Sequence, residues 1–199
     1  MPNPAPEPAT PRPAAHDAAP PFAPRFRAAT ADDVPALVAL VTSAYRGESS
    51  RAGWTTEADL LDGQRIDPDV LLADIARADS RVVVVDGDDG RPLACAHVAI
   101  EDGCGYFGMF AVSPRLQGRG TGAALLAECE RIARDEWRLP SMRMTVIDVR
   151  AALIAWYQRR GYRRTGIHMP FPYGDARFGI PRRDDLRFER LEKPLGASL

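Results

Sequence analysis

From residue 25 to residue 193 the apolar positions switch between two periods. Arg25 to Thr30 reads as a short strand. Val34, Leu37, Val38, Val41 and Tyr45 then recur at helical spacing, behind Thr30 as an N-cap and Asp33 in the position that answers it. Gly47 is placed to end this helix. Asp67 followed by Pro68 marks a second one, a cap and then Pro at the first helical position, with Leu71, Leu72 and Ile75 facing inward. From Arg81 the period shortens. Arg81 to Val85, Leu93 to Ile100 and Tyr106 to Val112 are three strand-like runs, separated by turns at Asp86–Gly90 and Glu101–Gly103.

After the third run comes a glycine-rich stretch, and then Leu125, Cys129, Ile132 and Ala133 on one helical face. Ser141 to Ile147 alternates like a strand. A strand, a helix and another strand in that order make a parallel crossover. Ala151 to Arg160 is a helix closed by Gly161, and Tyr162 to His168 is a further strand. Residues 169–184 read as a long connection, of the kind that is often functional. Leu186 and Phe188 open a last strand, whose alternation slips at Leu191. The expected class is α/β with a mixed sheet: an antiparallel meander, one parallel βαβ crossover, then a C-terminal helix and hairpin.

Composition divides the chain in two. Nine of the 18 prolines fall in residues 1–24, which read as a Pro/Ala-rich disordered leader; residues 25–199 read as one domain. The net charge of −1 gives no global attraction for nucleic acid or for an anionic membrane surface. The sequence contains no apolar run of membrane-spanning length. Cys95, Cys104 and Cys129 have no C-x-x-C spacing and read as reduced thiols of a cytoplasmic protein. His16, His97 and His168 have no ligand spacing, so no metal is expected.

The stretch Val112 to Gly122 carries the chemistry. Gly118, Gly120 and Gly122 have no Cβ, so a ligand can approach the main chain closely. A helix starting there offers free amides and a positive dipole end to an anion. Arg115 and Arg119 add guanidinium groups suited to phosphate. The spacing is neither G-x-G-x-x-G nor a P-loop, since no Lys follows the glycines. It fits Arg/Gln-x-x-Gly-x-Gly/Ala, here Arg115 to Gly120.

That stretch resembles the pyrophosphate loop of the GNAT superfamily of acyl-CoA-dependent N-acetyltransferases. A second segment, Tyr157 followed by Gly161 and Tyr162, looks like the family's Tyr-x-x-x-Gly-Phe/Tyr. The resemblance implies a GNAT-like fold and acetyl-CoA as co-substrate. It places the pantetheine arm along Met109, Phe110, Ala111 and Val112, and the diphosphate on Arg115, Gln117, Gly118, Arg119, Gly120, Thr121 and Gly122. It makes Tyr157 the general acid toward the leaving sulfur. Read from spacing alone, Tyr157 could equally be a core tyrosine, sharing a helix face with Leu153. Where many members carry Asn seven residues before the tyrosine, this chain has Arg150, so that contact is not carried over.

The implied activity is direct acetyl transfer to an amine, expected to belong to a small molecule. Acidic residues between 48 and 59 and at 101–102 suit a cationic acceptor, and the stretches 46–65 and 169–184 are expected to form its mouth. Glu48, Glu57, Asp59, Glu101 and Asp102 are the general-base candidates, each more often a solvated charge. Other readings stay open: a non-catalytic acyl-CoA sensor or assembly module on the same fold, and a phosphate-binding fold unrelated to coenzyme A. The oligomeric state is open between monomer and homodimer.

Overall fold

The computed structural model describes residues 24–46, 50, 51, 53 and 55–196. Residues 1–23 of the proposed leader, Gly47 and Glu48 lie outside the described residues. The elements are β1 (Phe26–Ala28), α1 (Val34–Tyr45), β2 (Leu61–Asp62), α2 (Pro68–Ala76), β3 (Ser80–Asp86), β4 (Pro92–Glu101), β5 (Cys104–Val112), α3 (Thr121–Arg131), β6 (Ser141–Ile147), α4 (Ala151–Gln158), β7 (Arg163–Pro170), β8 (Ile180–Pro181) and β9 (Arg187–Pro194).

Seven strands form one sheet in the order β1-β3-β4-β5-β6-β9-β7. All neighbours are antiparallel except β5 and β6, the one parallel pair of the expected crossover. The last strand does not simply close a hairpin: β9 inserts between β6 and β7 and pairs with both.

Helices cover both faces of the sheet, which explains why β3 is an unbroken valine run rather than an alternating one. Val82 and Val84 pack with Leu37, Val41 and Leu71 of α1 and α2. Val83 and Val85 pack with Leu125, Leu126 and Cys129 of α3 and, through the same core, with Ile154 and Tyr157 of α4. The helix starts follow their sequence signals. Asp33 accepts from Thr30 N at 2.7 Å, and Asp67 accepts from Asp69 N and Val70 N at 2.9 and 3.2 Å. Helix α3 runs on into one π turn, Ile132–Glu136, closed by Trp137 N to Ile132 O at 3.1 Å.

Some expectations need correction. Leu72 is 43% exposed rather than inward, because Leu71 already takes the position that meets β3. Helix α4 stops at Gln158, and Gly161, at φ +93°, turns the chain beyond it. The 169–184 connection is not structureless. Its β8 pairs with β2, Leu61 opposite Pro181 and Asp62 opposite Ile180. Arg182 ties this ribbon down through the Asp62 carboxylate at 2.7 Å. Leu61, Ile147, Phe171 and Leu186 form a small third core beneath it. The two irregular stretches are therefore one ribbon, lying next to the end of β6. Among the described residues no helix is long and apolar enough to cross a membrane.

Leu125 is completely buried between α3 and the sheet. Leu125→Ala is expected to lower unfolding free energy by about 2–5 kcal/mol, read from urea denaturation with an unchanged m value.

Candidate active site

The parallel pairing of β5 and β6 consists of two rungs, Gly105 opposite Met142 and Tyr106 opposite Arg143. Strand β5 continues to Val112 and β6 to Ile147, so beyond Tyr106 they part. A cavity of about 420 Å³ opens in the gap, lined by residues that include Tyr106, Met109, Thr145, Arg150, Tyr157 and Phe171. Its other walls come from α2 and from the ribbon side, through Leu71, Asp74 and Leu61.

β5 is also kinked where it faces the cavity. Cys95 pairs with Ala111 and His97 with Gly108, so Met109 and Phe110 together oppose Ala96. Met109 sits at φ +44°, a bulge of the sort found beside functional sites. Three carbonyls of this segment already have side-chain donors, Met109 O among them through Cys95 Sγ at 3.9 Å. Tyr45 OH donates to Phe110 O, and Gln117 Nε2 donates to Val112 O at 3.1 Å. Beyond Tyr106 this side of β5 has no strand partner, since its pairing with β6 ends there.

The glycine loop leads directly into α3. Arg115 lies in a 3-10 turn, Pro114–Leu116. Gly118 and Gly120 adopt φ +84° and +86°, where other residues are strained, and a Cβ on either would meet open space. The first α3 hydrogen bond runs from Ala124 N to Gly120 O at 3.0 Å, so Thr121, Gly122 and Ala123 N have no helical acceptor. Arg119 N turns back to Leu116 O at 3.4 Å. Gln117 points its side chain the other way, donating to Thr55 Oγ1 at 2.9 Å, which fastens the loop to the ribbon side. A Cβ on Gly122 would stand 2.9 Å from Phe110 Cζ, so that glycine is needed for packing against β5. The open main chain and uncommitted amides fit a diphosphate.

Tyr157 is both core and cavity wall. Its ring packs edge-on against Trp156 and Tyr162, at centroid distances of 5.0 and 5.8 Å, and it lines the cavity. Burial raises its hydroxyl far above the usual tyrosine range, so it keeps its proton and can donate.

Glu57 overturns the reading of the acidic segment as solvated. It is 4% exposed and surrounded by guanidinium groups. Arg150 Nη1 donates to Oε1 at 2.8 Å, Arg46 Nη1 donates to Oε2 at 2.8 Å, and Arg65 Nε stands 3.4 Å from Oε2. Burial pushes its carboxyl up, but Arg65, Arg150 and Arg46 together hold it below the usual range. It is an anchor, ill-suited to proton abstraction. Arg150 also donates to Thr55 O at 2.6 Å, so it is held on the acceptor side. Asp59 pairs with Arg51 at 2.9 Å. Glu101 and Asp102 line a separate hollow of about 140 Å³ with Arg143 and Arg190, and burial raises the Glu101 carboxyl. Neither lines the larger cavity, so among the described residues the acids expected to attract a cationic amine are paired or lie elsewhere.

Sequence spacing missed a group that the fold assembles. Asp74 on α2, Ser80 on β3 and His97 on β4 meet, Asp74 and His97 lining the cavity, with His97 Nδ1 3.7 Å from Asp74 Oδ2. Ser80 Oγ donates its single proton to Asp74 O at 2.6 Å. It must therefore accept from His97 Nε2, 2.8 Å away. That fixes the neutral imidazole with its proton on Nε2 and a bare lone pair on Nδ1. Burial lowers the pKa of His97, the Asp74 carboxylate opposes this, and Arg77 adds to it.

A sheet parted beside an open helix start is the layout of a transferase that takes its acyl group from coenzyme A. The chain belongs to the GNAT acetyltransferase family: the model described as "Acetyltransferase (GNAT) family" matches residues 41–162. No curated protein is significantly similar in sequence. Among solved structures, nourseothricin acetyltransferase is 25% identical with a TM-score of 0.51, over 60% of this chain and 67% of that one. The ribosomal-protein-S18-alanine N-acetyltransferase of Escherichia coli is 16% identical with a TM-score of 0.63, over 88% and 97%. The PaiA N-acetyltransferase of Thermoplasma acidophilum, solved with coenzyme A, is 15% identical with a TM-score of 0.60, over 87% and 99%. At these two lower identities the likeness concerns the fold. The protein is an acyl-CoA-dependent N-acetyltransferase.

Removing the Glu57 charge leaves three guanidinium groups around an uncharged site. Glu57→Gln is expected to destabilise the fold by about 3–5 kcal/mol in urea denaturation. Because the folded carboxyl titrates below its unfolded value, its contribution is present at neutral pH and lost on acidification. The variant's stability should therefore fall less steeply than wild type's between about pH 5 and pH 3.

Proposed function

We propose that this acetyltransferase acts on the amine of a small molecule by direct transfer within the cavity between β5 and β6. The observation that carries this is the cavity itself. It lies at the parting of the strands, reaches Tyr157 on one wall and His97 on another, and holds about 420 Å³, the scale of a small-ligand pocket. The nourseothricin acetyltransferase likeness supports a small-molecule acceptor.

Acetyl-CoA supplies an acyl group activated as a thioester. Thr121, Gly122 and Ala123 N at the α3 start, with the open loop at Gly118 and Gly120, hold its diphosphate. The side of β5 that β6 leaves uncovered from Met109 to Val112 aligns the arm. Tyr157 donates a hydrogen bond where the sulfur departs. The lone pair on His97 Nδ1 takes the proton that the acceptor amine must lose, and the neighbouring Asp74 carboxylate stabilises the imidazolium formed. Holding both partners in one cleft supplies the orientation term.

Release of free coenzyme A with an amine panel tests the activity. Acetyl-CoA binding without release for any amine would favour an acyl-CoA sensor instead. Tyr157→Phe is expected to lower kcat by about 100-fold or more while acetyl-CoA still binds.

The pH profile of kcat/KM tests the base. Activity should rise with pH through an apparent pKa below the ordinary histidine value of about 6.5. Asp74→Asn should move that limb to lower pH, because the carboxylate that raises the imidazole pKa is gone. His97→Gln should abolish the limb; its persistence there would clear His97 of the role.

A further inference from the structure

Arg65 stands on the cavity wall with its hydrogen-bonding capacity unused. It makes no hydrogen bond among the described residues, and its Nε is buried without a partner. Glu57, the nearest carboxylate, has one oxygen taken by Arg150 and the other by Arg46, each at 2.8 Å, which leaves Arg65 at 3.4 Å. The cluster thus sets three guanidinium groups against one carboxylate. The other charged groups of the cavity are committed. Asp67 caps α2 and also accepts from Gln64 Nε2, Asp74 faces His97, and Arg177 is satisfied by Asp175.

The Arg65 fork is also held in place. Its guanidinium lies over the Tyr45 ring, 4.7 Å from the centroid, and Arg150 stands 5.7 Å from the same ring. Tyr45 in turn donates to Phe110 O in the β5 bulge. One aromatic ring therefore separates a fixed, uncommitted guanidinium from the strand edge along which the acyl group is presented. A planar fork with free N–H groups, stacked and half-dry, is built to receive an oxyanion bidentately.

We infer that Arg65 binds a carboxylate of the acceptor, so that the acetylated substrate is a small amine bearing a carboxylate, an amino acid or a close analogue. The inference rests on the small-molecule reading above and replaces the cationic acceptor suggested by the acidic segments. The carboxylate fills the charge left over at Arg65, and the amine is directed toward Asp74 and His97.

The test pairs free amino acids of α, β and γ spacing with their carboxamides, in two measurements on the full chain. Calorimetric binding to the coenzyme A-loaded protein is expected to favour at least one free acid over its amide by about 10- to 150-fold, the range of a charge-assisted hydrogen bond. Arg65→Gln should erase that preference. Arg65→Lys, which keeps the charge without the fork, should retain a reduced one. In acetyl transfer the loss should fall on KM for the acid, with acetyl-CoA affinity unchanged. Equal binding of acids and amides by wild type, or binding of neither, overturns the inference. Arg65-dependent binding of acids without coenzyme A release would leave the carboxylate site standing and defeat the transfer reading alone.

Discussion

The pairing of β5 with β6 ends after two rungs, and the rest of the site depends on that interruption. Backbone groups inside a protein must find partners, so two strands that part over half their length leave an unpaired edge that something else has to satisfy. The structure holds the gap open in several ways. Met109 and Phe110 form a bulge that bends β5 away. Tyr45 and Gln117 cap two carbonyls that β6 would otherwise have approached. Gly122 lets α3 press against Phe110, so the helix start arrives at the end of the same edge. The edge, the amides and the cavity are consequences of one break in a ladder.

The polar groups on the acceptor side are arranged around this gap with a similar economy. Glu57 is buried by the ribbon, and a lone buried carboxylate would be costly. Guanidinium groups from three separate segments meet on it: Arg46 from the end of α1, Arg65 from the stretch before α2 and Arg150 from the start of α4. Gln117 adds a tie from the glycine loop to Thr55. The walls of the acceptor side are thus cross-linked by charge where there is little apolar core, the small cluster around Leu61 and Phe171 excepted. An ion cluster with more cations than anions holds a shape and also leaves charge available to a ligand.

Much of the frame was legible because it rests on local rules. The meander, the crossover and the helix caps at Thr30 and Asp67 are written in period, turn residues and N-cap chemistry, and each formed where those rules placed it. The loop at 115–122 was legible for the same reason: glycines at positive φ before a helix are a local demand. What escaped were features created only by tertiary contact. Glu57 looked like a surface acid because nothing near it in sequence reveals Arg150, 93 positions away. The pairing of β2 with β8 is two residues long and leaves no period. His97 sat in an apolar run with no spacing partner, and its neighbours come from α2 and β3.

The same distinction separates the two sides of the site. A diphosphate site is made of main chain, and main-chain geometry follows from where glycine and helix starts fall. An acceptor site is made of side-chain charge remaining after internal pairs are formed, and that remainder is fixed only once the partners are known. Counting acids does not show that Glu57 and Asp59 are paired, or that Arg65 lies over Tyr45 near Glu57 without a hydrogen bond to it. On the proposal for Arg65, specificity for the acceptor resides in the part of a structural ion cluster that makes no hydrogen bond. A substitution in that cluster would then alter substrate choice without touching the glycine loop. This gives one fold a way to serve many amines while its acyl-donor side stays the same.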